Sequence, residues 1–212
     1  MKELSQFSPA TIHEAQGRRG ALSSRIKPID NTMSFCGSAV TVSCAPRDNL
    51  MLQVAIHYAQ AGDVLVVAAG EFAEAGTLGD VLGSACLAKG IAAVVTDSGV
   101  RDTTSLRTLG LPVFSGSVSI QGTVKETLGP INHPLIIGGQ LVHPGDLISG
   151  DADGVVVVRK DDAEEVIARS RQRVDDESEL VRLYQEGRTT IELCNLVDVL
   201  KTKGLDVEDG NG

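Results

Sequence analysis

The stretch VLVVAAGEFAEAGTLGDVLGSACLAKGIAAVVT, residues 64–96, decides the fold class. It begins and ends with continuous apolar runs, at 64–69 and 91–96, which are typical of strands buried on both faces. A segment with helical character lies between them and ends at Gly90. Two such strands joined by a crossover helix form a parallel unit. We therefore predict an α/β fold with a parallel strand–helix–strand unit at its centre.

The sequence on either side of this unit extends the pattern. Residues 35–44 predict a strand, and Asp48 is placed to cap a helix that follows it. On the other side, a short helix near 104–109 leads to a further apolar segment at 111–114. Because this order repeats strand, helix and strand, we predict that the parallel sheet continues for one more strand.

The character of the sequence changes after Ser115. Short β-prone segments separated by turn residues predict a compact β layer: GTVKETLG, PLIIGG, GDLISG and GVVVVRK. A helix is predicted from Asp161 or Asp162 to about residue 183, and a second helix over 189–200. We predict one domain over residues 1–212, in which about 201–212 form a fraying tail.

The composition limits the classes of partner. The net charge of -9 and the aromatic content of 3% argue against nucleic acid, since the average surface repels phosphate backbones. No stretch approaches the roughly 20 apolar residues of a membrane span, and the first residues lack the apolar region of a secretory signal. We therefore expect a cytoplasmic protein that binds a small molecule and neither nucleic acid nor membrane.

Polar residues stand where the buried segments end. The helix of the central unit begins at Gly79, Asp80, Val81 and Leu82. Amides at a helix start point outward unpaired and can hold a carboxylate, although a plain turn into a helix has the same pattern. Arg101 and Asp102 follow the second strand, and they offer a fork for a carboxylate and a hard oxygen for a divalent cation. A surface ion pair is the alternative for these two.

The chain resembles the class II pyruvate aldolases that act on 4-hydroxy-4-methyl-2-oxoglutarate and 4-carboxy-4-hydroxy-2-oxoadipate. This family shares its fold with the regulator of ribonuclease activity A. The resemblance rests on the pattern Asp80-x20-Arg101-Asp102 and on four longer segments: EAQGRRGAL at 14–22, PRDNLMLQVAIHYAQAGDVLVVAAGE at 46–71, QGTVKETLG at 121–129 and HPGDLISGDADGVVVV at 143–158. These segments cover most of the chain.

The resemblance implies a layered β/β/α fold of the swivelling type and a site between subunits of a trimer or hexamer. It implies that Asp102 anchors Mg²⁺ or Mn²⁺, that Arg101 contacts the substrate, and that the amides of 79–82 hold a carboxylate. It also implies an acidic residue donated by a neighbouring subunit to the waters of the metal. Glu177 matches that position, and Glu179 is the alternative.

The implied reaction is a retro-aldol cleavage that releases pyruvate, in the degradation of aromatic acids such as protocatechuate and gallate. Decarboxylation of oxaloacetate is expected as a side activity, because it yields the same enolate. Asp80 is the candidate to position or deprotonate a water or the substrate 4-hydroxyl. A non-catalytic regulator of ribonuclease is the runner-up. The regulator branch is marked by glycine at the position of Asp80 and an acidic residue at that of Ser105, so the enzyme is favoured.

Two further sets of residues are candidates for the site. A Schiff-base mechanism needs a desolvated lysine, and none of Lys89, Lys125 and Lys160 has surroundings that predict burial. Arg18 and Arg19 can be interpreted either as contacts for a distal substrate carboxylate or as part of a solvated loop.

Overall fold

A computed structural model describes residues 3–205 of the chain. The chain forms two compact units, Met1–Ser170 and Arg171–Gly212. The prediction of one domain over 1–212 stays a prediction, and residues 206–212 of the predicted tail lie outside the described residues. Among the described helices, none combines the length and apolar character needed to cross a membrane.

The strands of the described chain are β1 (Lys27–Pro28), β2 (Phe35–Ser43), β3 (Asp63–Ala68), β4 (Gly76–Leu78), β5 (Ala93–Val100), β6 (Val113–Val118), β7 (Leu135–Ile137), β8 (Gln140–Val142), β9 (Leu147–Asp151) and β10 (Gly154–Val158). The helices are α1 (Pro9–Ala15), α2 (Leu50–Tyr58), α3 (Asp80–Ala88), α4 (Thr103–Leu109), α5 (Ala163–Gln185), α6 (Thr190–Leu193) and α7 (Leu196–Thr202). Two 3₁₀ turns, Leu4–Gln6 and Lys160–Asp162, precede α1 and α5.

The main sheet confirms the predicted α/β class. Its strands run in the order β1-β6-β5-β3-β2-β9-β10, and β4 pairs separately with β5. The inner pairs β2–β3, β3–β5 and β5–β6 are parallel, whereas β1, β9 and β10 join antiparallel. Strand β3, helix α3 and strand β5 form the parallel unit that was predicted from residues 64–96. The hairpin β7–β8 forms a separate two-stranded sheet.

The core explains why the central runs are apolar without alternation. The side chains of Val64 to Val67 on β3 are at most 1% exposed, and every residue of β5 is buried. Because both faces of these strands are covered, neither face needs polar residues. A smaller cluster packs Leu4 and Ile12 against Val156 and Val158 of β10 and Val166 of α5.

The structure corrects three boundaries. Strand β5 continues to Val100, past the predicted end at 96, because Asp97 and Ser98 find hydrogen-bond partners inside the fold. The segment GTVKETLG contains no strand beyond an isolated bridge at Val124. The helix predicted over 189–200 is two helices, because Asn195 adopts a left-handed conformation with φ 52° between them.

Candidate active site

The candidate site lies where β4 and β5 end side by side. These strands are parallel, and Leu78 pairs with Val100. The residues that follow them, Gly79 and Arg101, therefore leave the sheet at the same edge. The amide of Arg101 donates to Leu78 O at 2.9 Å and ties the two exits together. The carboxyl ends of parallel strands are where α/β folds place ligands.

A pocket of about 250 Å³ opens at this edge. It is lined by Asn49, Gln53, Gly76, Gly79, Asp80, Val81, Leu82, Arg101, Asp102 and Lys125. The pocket therefore brings together all six residues that were predicted for one subunit's share of the site, residues 79–82, 101 and 102. The roles assigned to them stay predictions.

The start of α3 supplies hydrogen-bond donors to this pocket. The first bond of the helix runs from the amide of Gly83 to Gly79 O, at 2.9 Å. The three amides before it, at 80–82, have no carbonyl one turn earlier, and the N-cap is a glycine, which has no side chain to accept from them. Together with the positive end of the helix dipole they form a position suited to an anion.

Two glycines form a slot for the side chain of Arg101. A Cβ atom placed at Gly76 would lie 2.9 Å from both Cβ and Cδ of Arg101. At Gly79 it would lie 3.2 Å from Cγ and Nε of Arg101 and would overlap Oδ2 of Asp102. The stem of Arg101 therefore packs directly against backbone at both positions. This close approach orients the guanidinium toward the pocket, and a side chain at 76 or 79 would displace Arg101 or Asp102.

Asp102 presents a carboxylate with few protein contacts. It stands at the N-cap of α4 in a left-handed conformation, φ 54° and ψ 36°, which aspartate tolerates better than most residues. Its side chain makes no cap hydrogen bond, is 40% exposed, and lies with Oδ2 3.5 Å from Nε of Arg101. The weak contact with Arg101 leaves carboxylate oxygen available to a ligand.

The donors present fit a magnesium ion. Residues 3–205 contain no group of three or more His, Cys, Asp or Glu side chains arranged to hold a metal. A cation bound at Asp102 would therefore take most of its ligands from water and substrate. Mg²⁺ is bound in this way, through one or two carboxylates and retained waters.

The buried carboxylate of Asp48 helps to form the pocket wall. The sequence predicted this residue only as a helix cap. Asp48 Oδ1 accepts from the amide of Leu50 at 2.8 Å, as a cap would. Its Oδ2 also accepts from the amides of Glu126 and Thr127, at 2.9 and 2.8 Å. Burial raises the pKa of Asp48, but these amides outweigh burial and hold the pKa below its ordinary value. Asp48 thus joins α2 to the loop 119–129.

Other pocket residues were missed because they lie far from the Arg-Asp pair in sequence. Asn49 donates from Nδ2 to Thr77 O at 3.0 Å, and its Oδ1 accepts from Gln53 Nε2 at 3.0 Å. These bonds fix both amide side chains against β4. Lys125, whose surroundings in the sequence do not predict the burial that a Schiff-base lysine needs, lines the pocket as an exposed residue.

The remaining candidates lie elsewhere. Glu177 pairs with Arg173 at 2.6 Å, and Glu179 with Arg182 at 2.7 Å, within the second unit. A hydrogen bond from Arg182 lowers the pKa of Glu179. Their placement at a neighbouring subunit's site stays a prediction.

Neither arginine of the 18–19 pair lines this pocket in its own chain. Arg18 pairs with Glu14 at 3.1 Å. Arg19 lines a separate cavity of about 360 Å³ beside β10, together with Arg159 and Arg169. The interpretation as a solvated loop therefore fits Arg18, and Arg19 belongs to another surface.

Comparison with known proteins gives the family. The model of the RraA-like family, described as Aldolase/RraA, matches residues 9–157. The chain belongs to the RraA-like family. The match includes every residue that lines the 250 Å³ pocket and excludes Glu177 and Glu179.

Proteins with differing descriptions are similar to this chain. A Halalkalibacterium halodurans protein with the provisional name 4-hydroxy-4-methyl-2-oxoglutarate aldolase is 37% identical over 74% of this chain and 75% of its own. A crystal structure from Pseudomonas syringae has TM-score 0.79 and 27% identity, covering 89% and 92% of the two chains. Streptomyces coelicolor RraAS2, titled an unusual member of the RNase ES inhibitor RraA family, has TM-score 0.75 and 32% identity, covering 86% and 96%.

Proposed function

We propose that this chain is a divalent-metal-dependent aldolase that cleaves a 4-hydroxy-2-oxo di- or tricarboxylate and releases pyruvate. The observation that carries the proposal is the convergence of three groups in one pocket: the amides that begin α3, the guanidinium of Arg101 and the carboxylate of Asp102. The aldolase name of the relative at 37% identity supports the same reading. Candidate substrates are 4-hydroxy-4-methyl-2-oxoglutarate and 4-carboxy-4-hydroxy-2-oxoadipate.

Asp102 would hold the metal, Mg²⁺ or Mn²⁺, directly or through water. When bound, the ion would act as a Lewis acid on the oxygens of a 2-oxo acid. Within the chain itself, the exposed carboxylate of Asp102 and its position beside Arg101 support this role. Asp102 directly follows the strand exit in a left-handed backbone conformation, which aspartate tolerates better than most residues.

Arg101 and the amides of 80–82 would bind the pyruvoyl end of the substrate. Breaking the bond between carbons three and four leaves the enolate of pyruvate, and stabilising that charge lowers the barrier. An arginine whose stem is already packed against Gly76 and Gly79 loses less freedom on binding, which favours such stabilisation. The amides of α3 would hold the carboxylate at carbon one.

Asp80 is the candidate base. It lies in the first turn of α3 and lines the same pocket as Arg101 and Asp102. Acting directly or through a water, its carboxylate would take the proton of the 4-hydroxyl. The electron pair of the broken bond moves to the enolate, which is then protonated at carbon three to give pyruvate. The second product carries the new carbonyl at carbon four.

The pocket would be completed by another copy of the chain in a trimer or hexamer. Apolar side chains stand exposed near it: Val81 is 78% exposed, Ile120 91% and Leu128 82%. Large apolar side chains in one region mark an interaction surface. A neighbouring subunit covering them would also bring the acidic residue expected at Glu177 or Glu179. Sedimentation equilibrium tests this step, and a monomer at micromolar concentration would refute it.

Pyruvate release from both candidate substrates tests the proposal, with lactate dehydrogenase and NADH as the readout. We expect release with Mg²⁺ or Mn²⁺, loss of release after chelation with EDTA, and recovery when metal is restored. Oxaloacetate should be decarboxylated under the same conditions. Borohydride added with substrate should trap no adduct; a covalent adduct at Lys125 would replace the metal mechanism with a Schiff base.

A second candidate, a non-catalytic regulator of ribonuclease, is favoured by the likeness to RraAS2 at 32% identity. Asp80 and Ser105 argue against it, since the resemblance ties the regulator to other residues at those positions. Inhibition of ribonuclease ES by the purified chain, without pyruvate release from any candidate substrate, would establish this alternative. For the enzyme we propose a role in the breakdown of aromatic acids such as protocatechuate and gallate.

A further inference from the structure

Lys125 reaches the candidate pocket from a segment that the reaction described above does not use. It lines the same cavity as Arg101 and Asp102, yet it belongs to the loop 119–129. The adjoining backbone lies close to Arg101, because a Cβ atom placed at Gly122 would be 3.8 Å from Nη1 of Arg101. The loop therefore forms part of the pocket wall.

The backbone on both sides of Lys125 is fixed. Before it, the amide of Val124 donates to Arg47 O at 2.8 Å, and Val124 O accepts from the amide of Asn49 at 3.1 Å. After it, the amides of Glu126 and Thr127 donate to the buried carboxylate of Asp48. The start of the loop is tied to β4 by the amide of Gly76, which donates to Gln121 O at 2.8 Å. A lysine held in this way is positioned rather than free to drift with a mobile loop.

The side chain of Lys125 is available to a ligand. It is exposed, and among the described residues no carboxylate forms an ion pair with it. An exposed lysine is an ammonium at neutral pH, and it presents three donors on a flexible stem. In a protein of net charge -9, a cation without an acidic partner at a pocket wall is a local site for an anion.

We propose that Lys125 binds the distal carboxylate of the substrate, and this inference rests on the proposed function. The amides of α3, Arg101 and Asp102 account for the pyruvoyl end, which every 2-oxo acid shares. Lys125 is the remaining cation of the pocket lining, so it distinguishes substrates by what they carry beyond carbon four. The substrate class is thereby 4-hydroxy-2-oxo acids with a second carboxylate, in preference to those that end in methyl.

The test compares pairs of molecules that differ only at the distal end. For turnover, these are 4-hydroxy-2-oxoglutarate and 4-hydroxy-2-oxopentanoate, which carry a carboxylate and a methyl at carbon five. For binding without turnover, they are 2-oxoglutarate and 2-oxopentanoate, measured by calorimetry with Mg²⁺ present. The full-length proteins are the wild type, Lys125→Met, Lys125→Arg and a control, Lys89→Met. Lys89 is an exposed lysine at the end of α3 that does not line the pocket.

In Lys125→Met we expect affinity and kcat/KM for the diacid to fall about 10- to 100-fold, the range for losing one charge-assisted hydrogen bond. Values for the methyl-ended molecules should change less than about twofold, as should both pairs in Lys89→Met. Lys125→Arg should keep part of the preference. An unchanged preference in Lys125→Met, or a wild type that does not distinguish the pair, would overturn the inference. If the wild type cleaves neither hydroxy acid while the binding preference depends on Lys125, the proposed reaction fails and the carboxylate site stands.

Discussion

Replacing Asp48 by asparagine should destabilise the protein strongly although it changes one atom. The carboxylate is 2% exposed and accepts three amide hydrogens. An asparagine whose oxygen faces Glu126 and Thr127 keeps those two bonds in weaker, neutral form. Its NH₂ group then faces the amide of Leu50, which loses its acceptor. Hydrogen bonds to charged groups contribute about 1.5–3 kcal/mol and a buried unsatisfied donor costs about 1–3 kcal/mol, so we expect a loss of roughly 2–5 kcal/mol.

The pH dependence of this loss has a definite sign. The folded-state pKa of Asp48 lies below the unfolded value, so its stabilisation is fully present above the unfolded pKa. It is lost as pH falls through the folded-state pKa. The difference between wild type and Asp48→Asn should therefore be constant from pH 7 down to about pH 5, and should shrink at pH values below about 4.

Urea unfolding followed by far-ultraviolet circular dichroism is the suitable assay, because the chain has no tryptophan. Protomer concentration must be equal in all samples, since assembly would add to the apparent stability. Asp151→Asn is the matched control, because Asp151 accepts a single amide hydrogen, from Asp153 at 2.9 Å, in an exposed turn. A loss below about 0.5 kcal/mol in Asp48→Asn, or one equal to the control, would refute the three-bond argument.

Three further outcomes are expected from the structure. Asp102→Ala should abolish pyruvate release and weaken Mg²⁺ binding, while the free energy of unfolding falls by no more than about 1–2 kcal/mol, the cost of alanine in the left-handed backbone, since the side chain is 40% exposed; retained activity would remove Asp102 from the mechanism. Gly79→Ala should lower kcat/KM at least about tenfold by displacing Arg101 and Asp102, whereas Gly122→Ala, with its nearest contact at 3.8 Å, should not. Carboxyl carbon NMR titration should place the pKa of Asp97 above its ordinary value, because burial raises it, and that of Asp48 below.

The sheet could be predicted from sequence where burial alone decides it. Residues 64–67 show no polar side chain because both faces of β3 are covered. The end of β5 could not be predicted, because Asp97 has the character of a loop residue. It belongs to a strand since its two carboxylate oxygens accept from the amides of Ala69 and Glu71 at 2.7 and 3.1 Å. These amides lie just after strand β3, far from Asp97 in the sequence. They therefore leave no periodic pattern in the residues around Asp97.

The sequence predicted that the site residues stand at the ends of buried elements: residues 79–82 at the start of the central helix and the pair 101–102 after the second strand. Strand β4, which pairs with β5 and brings the two sets together, was not predicted. Lys125 and Asn49 reach the same pocket because the loop 119–129 is hydrogen-bonded to Asp48. Those hydrogen bonds leave no periodic pattern in the sequence. One signal was present and unused: Gly76 and Gly79 are three residues apart, and both contact Arg101. Closely spaced glycines in or beside a strand indicate that another chain segment approaches the backbone.

The separation between scaffold and chemistry explains how one fold can serve an aldolase or an inhibitor of ribonuclease. The groups that build the edge are buried or are backbone: the β4–β5 pairing, the Asp48 carboxylate and the glycine slot. The groups proposed to act on substrate, Arg101, Asp102 and Lys125, are exposed and contribute little to the core. Exchange of those side chains would change the function at a smaller cost in folding free energy than exchange of the buried groups. The assignment of this chain to one branch therefore depends on a few side chains, Asp80 and Ser105 as well as these three, and the measurements on Asp102 and Lys125 test the enzyme branch directly.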